Sequence, residues 1–289
     1  MPAKKKTQKL LGVIGYPISH SLSPVFQNAA IKKLGLPLSY KAIKVKPQAL
    51  GNFVRLAFQK KYLGFNVTIP HKEHIIKYLD LLTPMAKKMG AVNTVKIEKN
   101  GKLIGHNTDG LGYLESLKKE CHFNPKGKLV VLLGAGGAAK AIATALGNAS
   151  CKKVLIANRN KNRAPLLAQQ MKKNFPRTQW ETCFLKNIPS SFWSKTHLLV
   201  NATSMGMKNI PLVPLPLETL HPHCIVSDIV YHPLQTSLLK KAKTYGLKIH
   251  PGWGMLLYQG ALSFTYWTNK KSPLATMKKN LLAALKTSS

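Results

Sequence analysis

The stretch that most constrains the fold is residues 128–159, KLVVLLGAGGAAKAIATALGNASCKKVLIANR. It opens with an apolar run at 129–133 that has the length of a buried strand. Gly134-Ala135-Gly136-Gly137-Ala138-Ala139 stops that run, helix formers continue to Leu146, and 153–157 is a second apolar strand. Strand, glycine turn, helix and strand make a βαβ unit. The turn has the spacing G-x-G-x-x-A: the first glycine permits a tight turn, the second lets a pyrophosphate reach the backbone, and the small third position lets helix and strand pack closely. The unpaired amides of the helix start then face the phosphates. A glycine triplet alone is weak evidence, but its placement between a strand and a helix makes a dinucleotide site the expected reading.

What ends the second strand narrows the cofactor. A site for NAD usually carries a carboxylate there for the ribose hydroxyls, whereas this chain has Asn158-Arg159, with Arg163 one helical turn on. Guanidinium groups at that position pair with a 2′-phosphate, so NADP is expected. The bland alternative makes Arg159 and Arg163 two more charges on a very basic surface.

That surface is unusual. The 289 residues carry 44 Lys and Arg against 9 Asp and Glu, a net charge of +35. The excess is +15 through Asp109 and +20 after it, so it is spread along the chain. No aromatic-interleaved basic stripe, helix-turn-helix pattern or zinc-finger spacing accompanies it, which argues against a specific nucleic-acid module. Loose, salt-dependent attraction of polyanions and anionic small molecules is expected. Cys121, Cys151, Cys183 and Cys224 form no C-x-x-C pair and have no histidine cluster beside them, as expected of reduced thiols in a cytoplasmic protein without a metal site. Residues 1–9 are expected to be a disordered basic tail. The apolar residues after it are broken by Gly12, Gly15 and Pro17, and no uninterrupted stretch is long enough to span a bilayer.

In chain order, 10–15 is a strand, 16–24 a loop, and 25–34 a helix with Ser23 as its N-cap and Pro24 in its first turn. For Ser21 and Ser23, capping chemistry and an anion cup for a carboxylate are both open. Strands follow at 38–45 and 63–69, with a helix at 50–60 between them. Lys72 lies just past the second of these strands, where open α/β sheets place ligands, although most lysines here must be solvated surface groups. A short strand at 91–95 and an Asn100-Gly101 hairpin lead to Asp109, by default the N-cap of a helix at 111–119. After the dinucleotide unit, strands are expected at 196–201, 225–230 and 248–250. Helices are expected up to Asn174, at 237–245 and at 255–267. The alternation makes an α/β protein of two α/β domains joined near 109–125, an N-terminal open-sheet domain and a Rossmann-type domain, with the apolar C-terminal helix returning to the first. The expected limits are 1–109, 110–251 and 252–289.

Eight segments together resemble the shikimate dehydrogenase family: GYPISHSLSP (15–24), NVTIPHK (66–72), GAVNTV (90–95), NTDG (107–110), GAGGAA (134–139), NATSMGM (201–207), DIVY (228–231) and GWGMLLYQ (252–259). They stand in the family's order across nearly the whole chain. The resemblance implies NADP-dependent reduction of 3-dehydroshikimate to shikimate on the route to aromatic amino acids. It implies that Ser21 and Ser23 hold the substrate carboxylate, that Thr68, Asn93, Tyr231 and Gln259 position the ring, and that Lys72 and Asp109 are the catalytic pair. It assigns Gly134, Ala135, Gly136, Gly137, Ala138, Asn158, Arg159 and Arg163 to the cofactor's phosphates and adenosine ribose, and Ile229 and Gly252 to the nicotinamide.

The chemistry suits those residue types, since hydride delivery to a ketone leaves charge on oxygen that a nearby ammonium can stabilise and protonate. Three positions depart from the family pattern. Gln27 stands where histidine is common, Asn160 replaces the threonine of an N-R-T triplet, and Ser237 replaces a common proline. The alternatives are a quinate/shikimate dehydrogenase of broader range and, in a different class, a non-catalytic polyanion-binding protein on the same fold. Oligomeric state is open between monomer and homodimer.

Overall fold

A computed structural model describes residues 9–207, 210–211 and 213–287; the basic tail expected over 1–9 lies outside them except for Lys9. The chain forms two compact units, one of residues up to Thr108 with Gln259–Ala284, the other of Asp109–Tyr258 with the last C-terminal residues.

In the first unit the elements are β1 (Lys9–Gly15), α1 (Ser23–Lys33), β2 (Leu38–Lys44), α2 (Leu50–Ala57), β3 (Gly64–Val67), β4 (Leu81–Leu82), α3 (Pro84–Met89), β5 (Thr94–Ile97) and β6 (Leu103–His106). The sheet order is β2-β1-β3-β5-β6-β4. β1 pairs in parallel with β2 and β3, whereas β3–β5 and β5–β6 are antiparallel, the latter pair joined by the hairpin at Asn100-Gly101, where Gly101 has φ +88°. Ile14, Phe65, Val67, Val92 and Val95 bury one face against Leu50, Val54 and Ile75.

The second unit contains α4 (Asp109–Cys121), β7 (Leu129–Leu133), α5 (Gly137–Asn148), β8 (Lys153–Asn158), α6 (Arg163–Asn174), β9 (Gln179–Phe184), α7 (Ser190–Trp193), β10 (Leu198–Asn201), β11 (Ile225–Asp228), α8 (Ser237–Thr244) and β12 (Lys248–Pro251). Its sheet is wholly parallel, in the order β12-β11-β10-β7-β8-β9. Counted from β7 this is the doubly wound 3-2-1-4-5-6 order, whose switch point lies between β7 and β10. The two-residue period of the strands divides the core between the faces. Val130, Leu132, Val154 and Ile156 pack with Ile142 and Leu146 on one side, and Val131, Leu133, Leu155 and Ala157 with Leu238 and Leu239 on the other.

Two helices complete the chain, α9 (Trp253–Thr268), divided between the units at Tyr258, and α10 (Leu274–Thr287). The second half of α9 belongs to the first unit: Trp267 Nε1 donates to the Val95 carbonyl at 2.9 Å, and its indole lies where a side chain on Gly64 would have to go. The expectation that the apolar C-terminal helix returns to the first domain therefore holds.

Several expected boundaries move. Helix α1 starts at Ser23 itself, so Ser23 is not the N-cap; Leu22 is, and the Ser21 hydroxyl receives the Ser23 amide at 3.4 Å. Asp109 likewise opens α4 and does not precede it. The strand expected at 91–95 lies at 94–97 because Val92 N–H donates to the Lys72 carbonyl, outside the ladder. Strand β9 alternates buried Trp180 with exposed Gln179 and Glu181 at the sheet edge and was not anticipated.

Candidate active site

The first unit holds its site residues at the carboxyl ends of β1 and β3. The Ser23 side chain is buried and Ser21 half-buried, side by side at the entry to α1. Tyr40 lies beneath them: its hydroxyl donates to Asn66 Oδ1 at 2.7 Å and is also hydrogen-bonded by the Ser23 side chain. Burial holds the phenol's pKa well above its ordinary value, with the Ser23 contact acting against that shift.

From Asn66 a buried polar network spreads. Its Nδ2 donates to the Asn93 carbonyl at 3.0 Å, to Thr94 Oγ1 at 3.1 Å and to Ser263 Oγ at 3.0 Å. Asn93 Oδ1 receives the Thr108 amide at 2.8 Å and the Thr94 hydroxyl at 2.8 Å, while its Nδ2 reaches Thr108 Oγ1 at 2.9 Å and Gln259 Oε1 at 3.3 Å. Polar groups buried this deeply persist only when hydrogen-bonded, so the network fixes the side-chain orientation of Asn93, which reaches the half-buried Gln259. Gln27, at the position of the expected histidine, ties α1 to α9 by donating to the Gly260 carbonyl at 2.9 Å, next to Gln259.

Thr68 follows β3, its amide bound to the Ile14 carbonyl at 2.9 Å and its methyl where a Cβ on Gly15 would stand. Lys72 is half-buried on the turn that follows. The turn is secured by the His71 ring, which contacts the Val45 carbonyl at 2.7 Å, and by Val92 N–H, which donates to the Lys72 carbonyl at 2.8 Å. That second bond sets Lys72 beside the residue preceding Asn93. The structure thus gathers Ser21, Ser23, Asn93 and Gln259 around one network, with Thr68 and Lys72 on the adjoining turn.

In the second unit, Gly134 ends β7 with φ +111°, and a Cβ there would meet the Ala202 carbonyl at 2.9 Å. Gly136 faces open space, and no side chain caps α5, leaving its first amides available at Gly137 and Ala138. At the end of β8, Asn158 Nδ2 donates to the Asn160 carbonyl and Asn160 Oδ1 receives the Asn162 amide, both at 2.9 Å. Asparagine at 160 therefore shapes the turn that presents the exposed Arg159 and Arg163. Open glycine backbone, uncapped amides and two cations with no carboxylate fit a phosphorylated dinucleotide.

Buried Asp109 opens α4, and Gly110 behind it allows α4 to pack on α5, since a Cβ there would meet the Ala141 carbonyl at 2.6 Å. Tyr231 is half-buried, its pKa raised by burial; Ile229 is half-buried, and its carbonyl lies where a Cβ on Gly252 would stand.

Sequence reasoning did not single out Tyr40, Asn66, Thr108 or Ser263, nor the Asn201–Asp228 pair in the second unit. The available signal was polar residues inside apolar strand patterns, above all Asp228 in a chain with so few carboxylates. Among the described residues no group of three or more His, Cys, Asp and Glu could hold a metal ion, and no helix is long and apolar enough to cross a membrane.

An all-parallel doubly wound sheet with an open glycine turn at its switch point, joined in one chain to an open-sheet unit carrying a buried polar site, defines a two-domain α/β oxidoreductase of the nicotinamide-dinucleotide class. Residues 13–95 match the model of the shikimate dehydrogenase substrate binding domain, 116–206 that of shikimate/quinate 5-dehydrogenase, and 252–282 that of the shikimate 5′-dehydrogenase C-terminal domain. A shikimate dehydrogenase (NADP(+)) of Desulforamulus reducens is 39% identical over 275 residues, 94% of each chain. The structure of the Thermus thermophilus shikimate 5-dehydrogenase in complex with NADP(H) and shikimate superposes with TM-score 0.84 at 36% identity, covering 96% of this chain and 99% of that one. A quinate dehydrogenase of Corynebacterium glutamicum in complex with NAD gives TM-score 0.88 at 30% identity, over 96% and 99%. The chain belongs to the shikimate dehydrogenase family.

Proposed function

We infer that this protein is an NADP-dependent shikimate dehydrogenase, which reversibly reduces 3-dehydroshikimate to shikimate in the supply of chorismate and the aromatic amino acids. The observation that carries the reading is the buried network from Ser23 through Tyr40 and Asn66 to Asn93 and Gln259, a rigid polar floor suited to a small polyhydroxylated acid.

In this reading residues 1–109 bind substrate, 110–251 bind NADP, and 252–289 support the first domain. Ser21 and Ser23 take the substrate carboxylate. Thr68, Asn93, Tyr231 and Gln259 hold the ring hydroxyls, each rejecting an analogue that leaves it unpaired. The turn at Gly134–Ala138 receives the pyrophosphate; Asn158, Arg159 and Arg163 take the 2′-phosphorylated ribose; Ile229 and Gly252 border the nicotinamide.

The bound cofactor supplies hydride to the carbonyl carbon. As charge develops on oxygen, the Lys72 ammonium stabilises it and transfers a proton, giving the hydroxyl of shikimate and a neutral amine that regains its proton from solvent. Asp109 orients that hydroxyl and the ammonium. In the reverse direction Lys72 accepts the hydroxyl proton. The protein works in the cytoplasm as a monomer or homodimer on a small-molecule substrate, with no specific nucleic acid or membrane partner.

Initial rates of NADP reduction with shikimate test the reading. Turnover with shikimate and NADP supports it. A preference for quinate would move the assignment to the broader enzyme, and tight polyanion binding at physiological salt without turnover would replace it with the binding protein.

A further inference from the structure

At the carboxyl ends of β10 and β11, Asn201 and Asp228 are register partners whose side chains meet, Asn201 Nδ2 donating to Asp228 Oδ1 at 3.0 Å, and both are fully buried. Each organises the loop after its strand. Asn201 Oδ1 receives the Thr203 amide at 3.1 Å and its hydroxyl at 2.7 Å, while Asn201 Nδ2 also donates to the Met205 carbonyl at 2.8 Å. Asp228 Oδ1 receives the Val230 amide at 3.0 Å and Oδ2 the Thr236 hydroxyl at 2.7 Å. The Ile229 amide closes the set by donating to the Asn201 carbonyl at 3.0 Å.

The two loops held in this way face the cofactor residues of the same unit. Ala202 and Thr203 lie against Gly134, within 2.9 and 3.0 Å of where its Cβ would be, and Gly206, with φ +90°, sits over Asp228 Oδ2 and Thr236. The other loop carries Ile229, whose carbonyl backs Gly252, and Tyr231. A carboxylate without hydrogen bonds would not be tolerated at this depth, so three donors converging on Asp228 leave the two loops little freedom to separate.

We propose that Asn201 and Asp228 are a positioning pair, which acts through Ala202–Thr203 and Ile229–Tyr231 to set the rim that receives the nicotinamide half of the dinucleotide. Both side chains are fully buried beneath the two loops and act through them. The proposal rests on the reading of this unit as the NADP holder and names residues to which that reading gives no part. Asp228 accepts on both oxygens, and an amide at this position would either turn a donor toward Asn201 Nδ2 and Val230 N–H or force the Thr236 hydroxyl to reverse from donor to acceptor.

The test is NADPH affinity, read by the fluorescence of the reduced cofactor in titrations of the purified full chain without substrate, so that turnover is not needed. Asp228→Asn and Thr236→Val should each weaken NADPH binding by about tenfold, as expected for one charge-assisted hydrogen bond lost. Thr236→Ser, which keeps the hydroxyl, should stay within about twofold of wild type for both ligands, and in the other two variants shikimate binding measured calorimetrically without cofactor should fall less than NADPH binding, by way of Tyr231 alone. Unchanged NADPH affinity in a folded Asp228→Asn protein overturns the proposal. So does a parallel fall in NADPH affinity, shikimate affinity and melting temperature, which would mark a merely structural role. If Asp228→Asn does not fold, the contrast between Thr236→Val and Thr236→Ser decides, with equal affinities overturning the proposal. A wild-type protein that binds no NADPH overturns the function reading as well, whereas one that binds NADPH but does not turn over shikimate overturns only the latter.

Discussion

Thr108 and Asn93 hold each other reciprocally: the Thr108 amide donates to Asn93 Oδ1 at 2.8 Å, and Asn93 Nδ2 donates to Thr108 Oγ1 at 2.9 Å. Through this pair a proposed ring-binding side chain fixes the backbone of the residue directly before Asp109. The Val92–Lys72 backbone bond fixes the other proposed catalytic residue from the residue directly before Asn93. One buried asparagine is therefore one covalent step from the residue bonded to the Lys72 carbonyl and is hydrogen-bonded to the residue that precedes Asp109.

Replacing Asn93 by alanine should accordingly do two things. It leaves buried donors and acceptors of Thr94 and Thr108 unpaired, so unfolding stability in urea should fall by about 1–3 kcal/mol. The KM for shikimate should rise in the same variant. A variant of wild-type stability and KM would show the network to be dispensable.

Arg159→Gln should discriminate between cofactors. Losing a guanidinium from a 2′-phosphate should raise the KM for NADPH about ten- to a hundredfold and leave that for NADH nearly unchanged. Arg163→Gln should act in the same direction. Equal effects on both cofactors would remove these arginines from the 2′-phosphate site.

The Gly252 position leaves no room for a side chain, because its Cβ would overlap the Ile229 carbonyl. Gly252→Val should therefore shift the backbone at Ile229 and weaken NADPH binding more than shikimate binding, as paired titrations would show.

Stability should also depend on pH through His250. Its ring is buried between Ser116 Oγ at 2.7 Å and Ser227 Oγ at 2.8 Å, and burial lowers its pKa to about 4, opposed by Glu120. The unfolded chain then binds a proton near pH 6.5 that the folded protein refuses until about pH 4. This residue's contribution is fully present above about pH 6.5 and is lost as pH falls toward 4, by about 3 kcal/mol in all. Melting temperatures across that window should fall for wild type and fall less steeply for His250→Gln.

Much of the molecule was legible in its sequence because periodicity and glycine spacing are local. The strands at Leu129–Leu133 and Lys153–Asn158 bury both faces and so read as continuous apolar runs, and the turn between β7 and α5 announces itself by residue type. Strand β9 at the sheet edge, with alternating exposure, gave no such run. Ser23 and Asp109 were misplaced by one position because cap and first helical residue prefer the same side chains, and only backbone geometry separates them. Tyr40, Asn66, Thr108 and Ser263 were missed for a different reason. Their partners lie far away in the chain, Asn66 and Ser263 being 197 residues apart, and no spacing rule records such contacts.

Lys72 is proposed to move the proton in a reduction whose substrate is held by other residues. The most direct measurement compares initial rates of NADP reduction with shikimate for wild type and Lys72→Ala, at saturating and limiting substrate. A fall in kcat of about 10²–10⁴-fold with KM changed only a few-fold is predicted. Near-normal kcat with a raised KM, or no turnover of shikimate by the wild-type protein, would contradict it.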